Sequence, residues 1–323
     1  VLLSACGDDG VGPDDRVAGG IDLDVLFAPP TGTEIASVSA DWAARMPTAE
    51  GVVVALDTTV SVLTLEARVR VVSHVVDGTV RHYGAVIPPA VLTEPAPIIV
   101  YTHGGDAGVA LDQVLFTVPA LGDQADGFVW VVPSFRSEPL SLGSRSWTSE
   151  GAASPWDRDV DDAIALLDAA LEVEPQADST RVAVLGFSRG GGVGLLMGIR
   201  DDRIDRVVDF FGPTDFFDVY VQEVVEEALD GARRDLPGIE ALDTDFIQPL
   251  RSGQTDVPTV RLEFVRRSAV LFADRLPAVQ IHHGTADDVV AVSQAESLIA
   301  ALEADGRTEP EFQSFLYPGG THN

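Results

Sequence analysis

A pentapeptide with the pattern Gly-x-Ser-x-Gly constrains the fold of this chain more than any other feature. Gly186-Phe187-Ser188-Arg189-Gly190 follows an apolar strand pattern and precedes a helical pattern. In that context the two glycines permit a tight strand-to-helix turn, because larger side chains would clash with neighbouring elements. The turn exposes the Ser188 hydroxyl and leaves the N–H of Arg189 at the helix start, where an oxyanion can form. We therefore predict that Ser188 is a nucleophile and that Arg189 is an oxyanion-hole donor.

The charge of the chain excludes several other functions. The glycine run continues to Gly192, as in a phosphate-binding loop. Such a loop also uses a lysine, and every basic residue of this chain is Arg. There are 51 acidic and 21 basic residues, a net charge of -30. A chain this acidic repels nucleic-acid phosphates and anionic lipid headgroups. We expect no nucleic-acid partner and no cofactor.

The pattern of strands and helices predicts an α/β fold. Apolar and polar residues alternate from Leu63 to Val71, Asp77-Gly78 is typical of a hairpin turn, and Thr79 to Ile87 returns as a second strand. Short apolar strands then alternate with helices, which indicates a mostly parallel central sheet flanked by helices. This is the layout of the α/β-hydrolase fold. The later strands are predicted at 97–101, 128–132, 182–185, 207–211, 278–281 and 312–317.

The alternation of strands and helices stops between Gly212 and Leu276. We predict a small helical cap at about 213–276, and a surface insertion without a role in the site is the alternative. The catalytic domain is predicted at 60–323. Residues 19–59 are predicted to be an N-terminal extension that packs on this domain.

An acid and a base for Ser188 are expected after later strands. The run Ile281-His282-His283-Gly284-Thr285-Ala286-Asp287-Asp288 supplies two candidate acids, Asp287 and Asp288. The base is expected last in the chain, and His322 follows the final strand, which gives the chain order Ser, Asp, His of α/β-hydrolases. A metal site built from His282, His283 and the two aspartates has no recognisable ligand spacing, so we predict none.

The second oxyanion-hole donor is expected just after the strand at 97–101, where hydrolases of this fold place it. Thr102-His103-Gly104-Gly105-Asp106 follows that strand. We predict that the N–H of Gly105 or of Asp106 is this donor, and that His103 holds the loop by hydrogen bonds.

The start of the chain predicts a membrane anchor. Leu3-Ser4-Ala5-Cys6 resembles the lipobox of a bacterial lipoprotein, in which Cys6 is lipidated, and we expect the sequence to begin within its signal peptide. A Gly- and Asp-rich tether follows, so residues 1–18 are interpreted as a signal remnant and tether. The predicted location is extracytoplasmic, with membrane contact only through the lipid at Cys6.

Several motifs together resemble the catalytic domain of prolyl-oligopeptidase-like α/β-hydrolases. They are Asp77-Gly78, His103-Gly104-Gly105, Ser134-Phe135-Arg136, Trp156-Asp157 with Asp159 and Asp162, and His283-Gly284-Thr285-Ala286-Asp287-Asp288. The resemblance implies a Ser188–Asp287–His322 triad, because related hydrolases use the first Asp of H-G-x-x-D-x-x-V. Arg136 is interpreted as a structural ion-pair partner, with a substrate carboxylate as the alternative.

The chain departs from the peptidases of that family at its N-terminus. Those peptidases carry a long β-propeller, whereas about 60 residues precede the catalytic domain here, fewer than two blades of about 40 to 45 residues need. We therefore expect a carboxylesterase that acts on a small-molecule ester. An aminopeptidase or acyl-peptide hydrolase acting on short peptides and a non-catalytic binding lipoprotein are the alternatives.

Overall fold

The computed structural model of the protein describes residues 16–45, 47–62, 65–118 and 122–322. The predicted lipidation site Cys6 lies outside these residues. The predicted fold class is confirmed, because the strands of the main sheet are mostly parallel and helices flank the sheet. Of the helices in the described ranges, none is long and apolar enough to cross a bilayer.

The bounds of the strands and helices are as follows. The strands are β1 (Val17–Ala18), β2 (Ile21–Asp22), β3 (Glu50–Val62), β4 (Leu65–Val76), β5 (Val80–Ile87), β6 (Ala96–Thr102), β7 (Val109–Ala110), β8 (Val129–Pro133), β9 (Pro139–Leu142), β10 (Arg145–Thr148), β11 (Ala177–Phe187), β12 (Ile204–Phe210), β13 (Ala278–Gly284) and β14 (Phe312–Tyr317). The helices are α1 (Leu23–Leu26), α2 (Gly32–Arg45), α3 (Leu111–Thr117), α4 (Arg158–Val173), α5 (Arg189–Arg200), α6 (Val219–Leu229), α7 (Ile239–Leu242), α8 (Gln248–Arg251), α9 (Val257–Val265) and α10 (Ser293–Ala304).

Nine strands of the described chain form the central sheet, in the order β14-β13-β12-β11-β6-β8-β5-β4-β3. The strands from β14 to β8 are parallel, and β5, β4 and β3 continue the sheet in antiparallel pairs. The β4–β5 hairpin turns at Asp77 and Gly78, whose φ angles are 55° and 70°. Because the parallel strands share a direction, the loops after β6, β11, β13 and β14 leave the sheet at one edge.

Most of the strand β3 lies in the segment 19–59 that the sequence assigned to an extension, and its last three residues lie in the predicted catalytic domain. It pairs with β4 as an edge strand, and Arg68 bonds Asp57 across the pair at 2.5 Å. Val53 and Val54 are 54% and 42% exposed. Alternate residues are partly buried only from Leu56 to Val62, where Leu56, Val60 and Val62 pack against the core. The first half of the strand lacks the alternation that predicts a strand.

The acidic first turns of α4 lie against arginines in the protein interior. Asp162 pairs with Arg136 at 2.9 Å, and Asp161 pairs with Arg158 at 3.0 Å and also with Arg200. Arg136 therefore has a structural partner, as the sequence interpretation held. Carboxylates at the start of α4 interact favourably with the helix dipole. The same carboxylates also neutralise buried arginines.

The helices α1 and α2 pack on α9, which belongs to the insertion at 213–276. Arg261 of α9 donates from Nη1 to the carbonyls of Val25, Leu26 and Ala28 at 3.1, 2.8 and 2.8 Å, and from Nε to Glu34 at 2.7 Å. The Glu34–Arg261 hydrogen bond lowers the pKa of Glu34 to about 2. One buried cation thus attaches the N-terminal segment to the insertion.

We predict that Arg261→Ala lowers the free energy of unfolding by about 2–4 kcal/mol, because it leaves the Glu34 carboxylate and three carbonyls without their donor. Urea denaturation measures the change. The control is Arg251→Ala, whose side chain is exposed and whose loss should cost less than about 0.5 kcal/mol. Equal midpoints for the two variants would contradict the assigned role of Arg261.

Candidate active site

Ser188 lies on a strained turn between β11 and α5. Its φ and ψ are 53° and −123°, and its N–H donates to the carbonyl of Phe210 at 2.8 Å. A Cβ on Gly186 would lie 2.3 Å from the Gly190 carbonyl oxygen, and a Cβ on Gly190 would lie 2.0 Å from the Thr102 carbonyl oxygen. The two glycines of the motif are therefore required by close backbone packing, which holds Ser188 in a conformation that non-glycine residues rarely adopt.

The structure brings Ser188, His322 and Asp287 together in one hydrogen-bonded chain. His322 Nε2 lies 2.9 Å from Ser188 Oγ, and His322 Nδ1 lies 2.7 Å from Asp287 Oδ2. The Asp287 side chain is fully buried, and its Oδ1 accepts the N–H groups of Val289 and Val290, each at 2.9 Å. Asp288 is exposed. Of the two candidate acids, Asp287 is therefore the one that contacts the histidine.

The loop that carries His322 is fixed to the loop that carries Asp287. Thr285 and Ala286 donate their N–H groups to the carbonyls of Tyr317 and Gly320 at 3.0 and 2.9 Å. A Cβ on Gly284 would lie 2.3 Å from the Gly320 carbonyl oxygen, so the two loops are in direct backbone contact. The ring of Phe211 packs on His322 with 4.5 Å between centroids. These contacts set the distance between acid and base.

The candidate oxyanion-hole residues lie beside the nucleophile. Gly104 packs against it closely enough that a Cβ there would be 3.1 Å from Ser188 Cβ. Gly105 has a φ of 74°, and its carbonyl accepts from Arg189 Nη1 at 3.2 Å. The Asp106 carboxylate accepts the N–H of Gly238 at 3.3 Å. The N–H of Arg189 opens α5, where no carbonyl of the same helix can reach it.

The sequence interpretation missed a buried ion cluster around the Arg189 side chain. This side chain is 1% exposed and bonds Asp159 at 2.7 Å and Glu138 at 2.5 Å. Burial raises the pKa of Glu138 to about 7, against the opposing effect of the Arg189 charge. The sequence marks Asp159 as part of a family motif and of the acidic first turn of α4, and neither signal predicts its contact with Arg189. Glu138 gave no signal, because its partner is 51 residues away.

His103 contacts the loop of the candidate oxyanion-hole residues. Its Nδ1 donates to the Gly104 carbonyl at 3.0 Å, and its ring stacks on Phe135 at 4.4 Å. Burial lowers the pKa of His103 to about 4, so the ring is neutral at pH 7. His282 stacks between Phe210 and Phe315 at 4.5 and 4.8 Å. Among the described residues, no group of three or more His, Cys, Asp or Glu has the geometry of a metal site.

The insertion at 213–276 lies over the nucleophile. Ser188 and Arg189 line a cavity together with residues of α6, including Tyr220 and Val224. The Tyr220 hydroxyl donates to the carbonyl of Val289, next to the Asp287 loop. Of the two interpretations of this insertion, the structure fits the cap.

Comparisons with known proteins agree with this fold. The family model described as BD-FAE matches residues 86–302. A comparison with curated proteins gives no match. Acetyl xylan esterase 1 from Thermoanaerobacterium sp. has a similar structure, with a TM-score of 0.62, 18% identity and coverage of 94% of each chain.

Two further structures are similar at lower scores. Acylaminoacyl peptidase from Pyrococcus horikoshii has a TM-score of 0.53 and 16% identity over 80% of this chain and 44% of its own. An esterase from Pyrococcus furiosus has a TM-score of 0.51 and 15% identity over 79% of this chain and 82% of its own. The chain therefore spans less than half of the peptidase and most of either esterase.

Asp209, at the end of β12 beneath the nucleophile turn, gives a pH-dependent prediction. It is fully buried, accepts the N–H of Gly212 at 3.0 Å, and its Oδ2 has no partner within the described ranges. Burial raises its pKa to about 7. Because the folded pKa exceeds the unfolded one, the stability that protonated Asp209 contributes is lost as the pH rises towards and through about 7.

Asp209→Asn does not titrate at this position. We expect the difference in the free energy of unfolding between the variant and the wild type to shift in favour of the variant by about 1–3 kcal/mol as the pH rises from 5 to 8. Urea denaturation at both pH values measures the gain. The control Asp202→Asn changes an exposed carboxylate and should show no such gain. If the difference in the free energy of unfolding between Asp209→Asn and the wild type is the same at both pH values, the prediction that the raised pKa of Asp209 destabilises the fold at higher pH is wrong.

Proposed function

The chain belongs to the BD-FAE family of α/β-hydrolase enzymes, and on that premise we propose that it cleaves carboxylic esters through an acyl-enzyme on Ser188. The hydrogen-bonded chain from Ser188 Oγ through His322 to Asp287 carries the proposal. These hydrogen bonds begin at the strained turn of Ser188, beside the first N–H of α5 and the loop of Gly105. Acyl transfer needs this combination of an activated nucleophile and nearby N–H donors.

In the first half-reaction, Ser188 Oγ attacks the ester carbonyl carbon while His322 Nε2 takes the hydroxyl proton. Asp287 holds Nδ1–H of the same ring and stabilises its charged form. The N–H groups of Arg189 and of Gly105 or Asp106 donate to the oxyanion. His322 then protonates the leaving alcohol. Water, deprotonated by the same ring, attacks the acyl-enzyme and releases the carboxylic acid and free Ser188.

The comparisons favour an ester over a peptide. The chain matches acetyl xylan esterase 1 along 94% of both chains, but only 44% of the acylaminoacyl peptidase. Peptide hydrolysis and binding without catalysis are therefore treated as outcomes of the tests below.

We predict that a fluorophosphonate probe labels the wild type and not Ser188→Ala. Turnover of p-nitrophenyl acetate and butyrate should fall at least about a thousandfold in the variant, because the nucleophile is lost. The control Ser252→Ala removes an exposed hydroxyl and should retain labelling and turnover. An unlabelled wild type would favour a binding protein. Faster cleavage of a p-nitroanilide than of the p-nitrophenyl ester of the same acyl group would favour a peptidase.

Neighbouring carboxylates give a matched test of the triad acid. Asp287→Asn should lower kcat for p-nitrophenyl butyrate by about 10³–10⁴-fold, because the amide no longer stabilises the His322 imidazolium or its tautomer. Asp288→Asn makes the same change on the exposed neighbour and should leave kcat within about twofold. Equal losses in the two variants would show that the Asp287–His322 contact has no catalytic role.

A further inference from the structure

The cavity beneath the cap has an almost wholly apolar lining. It holds about 80 Å³, and Ser188 and Arg189 are among its lining residues. Its walls come from α6, from the segment that leads into α7, and from α9. Trp156 and Phe216 meet edge to face in the wall at 5.3 Å. A space of this kind favours hydrocarbon over water.

The few polar groups in the wall already have partners. Trp156 Nε1 donates to the Arg189 carbonyl at 3.0 Å, and the Tyr220 hydroxyl donates to the Val289 carbonyl. The Arg189 guanidinium is occupied by Asp159 and Glu138. Apart from Ser188 and the Arg189 N–H, the polar side chains that the structure describes in the wall are therefore already paired, and a hydroxylated or charged substrate group would lose its hydration on entry.

The cavity adjoins Ser188 and the loop that follows Asp287, but the His322 ring is not part of its wall. In the proposed reaction His322 protonates the leaving alcohol, so the alcohol lies on the His322 side of the reacting carbon. The remaining substituent, which is the acyl chain, then points into the cavity.

The wall is held in place before substrate arrives. Asp218 caps α6 by accepting the N–H of Tyr220 at 3.2 Å and also accepts from the Ser293 hydroxyl at 2.7 Å. The Tyr220–Val289 hydrogen bond and the Gly238–Asp106 hydrogen bond attach the cap to both sides of the site. A preformed cavity of fixed size discriminates acyl chains by length.

We propose that the protein prefers esters of short, unsubstituted apolar acyl groups of about three to four carbons over acetyl esters, and that Val224 of α6 sets the upper limit. This inference rests on the proposed esterase function. A water-sized group occupies roughly 30 Å³, so the cavity takes two to three methylene-sized groups beyond the carbonyl carbon. Val224 is 4% exposed and faces this space.

The test is a chain-length series of p-nitrophenyl esters from acetate to octanoate. Each methylene that enters the cavity should raise kcat/KM about fourfold, so butyrate should exceed acetate about fifteenfold and hexanoate should fall below butyrate. Val224→Ala enlarges the cavity and should raise the octanoate-to-butyrate ratio of kcat/KM at least threefold. This ratio is independent of how much of the variant folds.

Val219→Ala is the matched control, because it makes the same change at the 57% exposed start of the same helix. Its ratio should equal that of the wild type. If acetate is turned over and Ser188 is labelled, but kcat/KM is flat from acetate to hexanoate or Val224→Ala behaves as Val219→Ala does, the acyl-cavity inference is overturned and the esterase stands. Absence of both labelling and turnover overturns the esterase proposal itself.

Discussion

The buried guanidinium of Arg189 is the interaction on which the geometry of the site depends. Arg189 directly follows Ser188 in the chain. Its guanidinium bonds Asp159 of α4, Glu138 and the carbonyl of Gly105. One cation thus joins the nucleophile's helix, the helix packed beside it and the oxyanion loop. Removal of one partner from such a buried cluster leaves the others uncompensated, at a cost of about 3–5 kcal/mol. The position of Gly105 relative to Ser188 is therefore fixed by buried charge as well as by its own turn.

The parallel sheet supplies the second constraint. Thr102, Ser188, Asp287 and His322 are widely separated in sequence, yet each lies at or just beyond the carboxyl end of β6, β11, β13 or β14. Because these strands are parallel and close in the sheet, their following loops meet at one edge. Each loop then needs only short hydrogen bonds to its neighbour, as between Ala286 and Gly320, to complete the hydrogen-bonded chain.

The parts of the molecule that local sequence specifies could be predicted, and the parts set by tertiary packing could not. The strands, the hairpin and the turn at Ser188 follow from periodicity and from glycines whose Cβ atoms would overlap backbone. Asp287 and Asp288 carry the same local signal, and family resemblance alone separated them. Glu138 gave no signal because Arg189 reaches it across the fold. The edge strand β3 was missed because its first half, from Glu50 to Ala55, shows no alternation of apolar and polar residues.

The N-terminal segment, whose role the sequence left open, supports the wall of the acyl cavity. Phe264 of α9 lines the cavity and stacks on Phe27 at 5.7 Å. Arg261, three residues earlier in the same helix, holds the carbonyls around Phe27. Since packed interiors transmit displacements rather than absorb them, the position of Phe264 depends on residues that never approach the substrate. The size of the cavity is therefore coupled to the docking of the N-terminal segment, and a change at that distant contact acts on both stability and acyl selectivity.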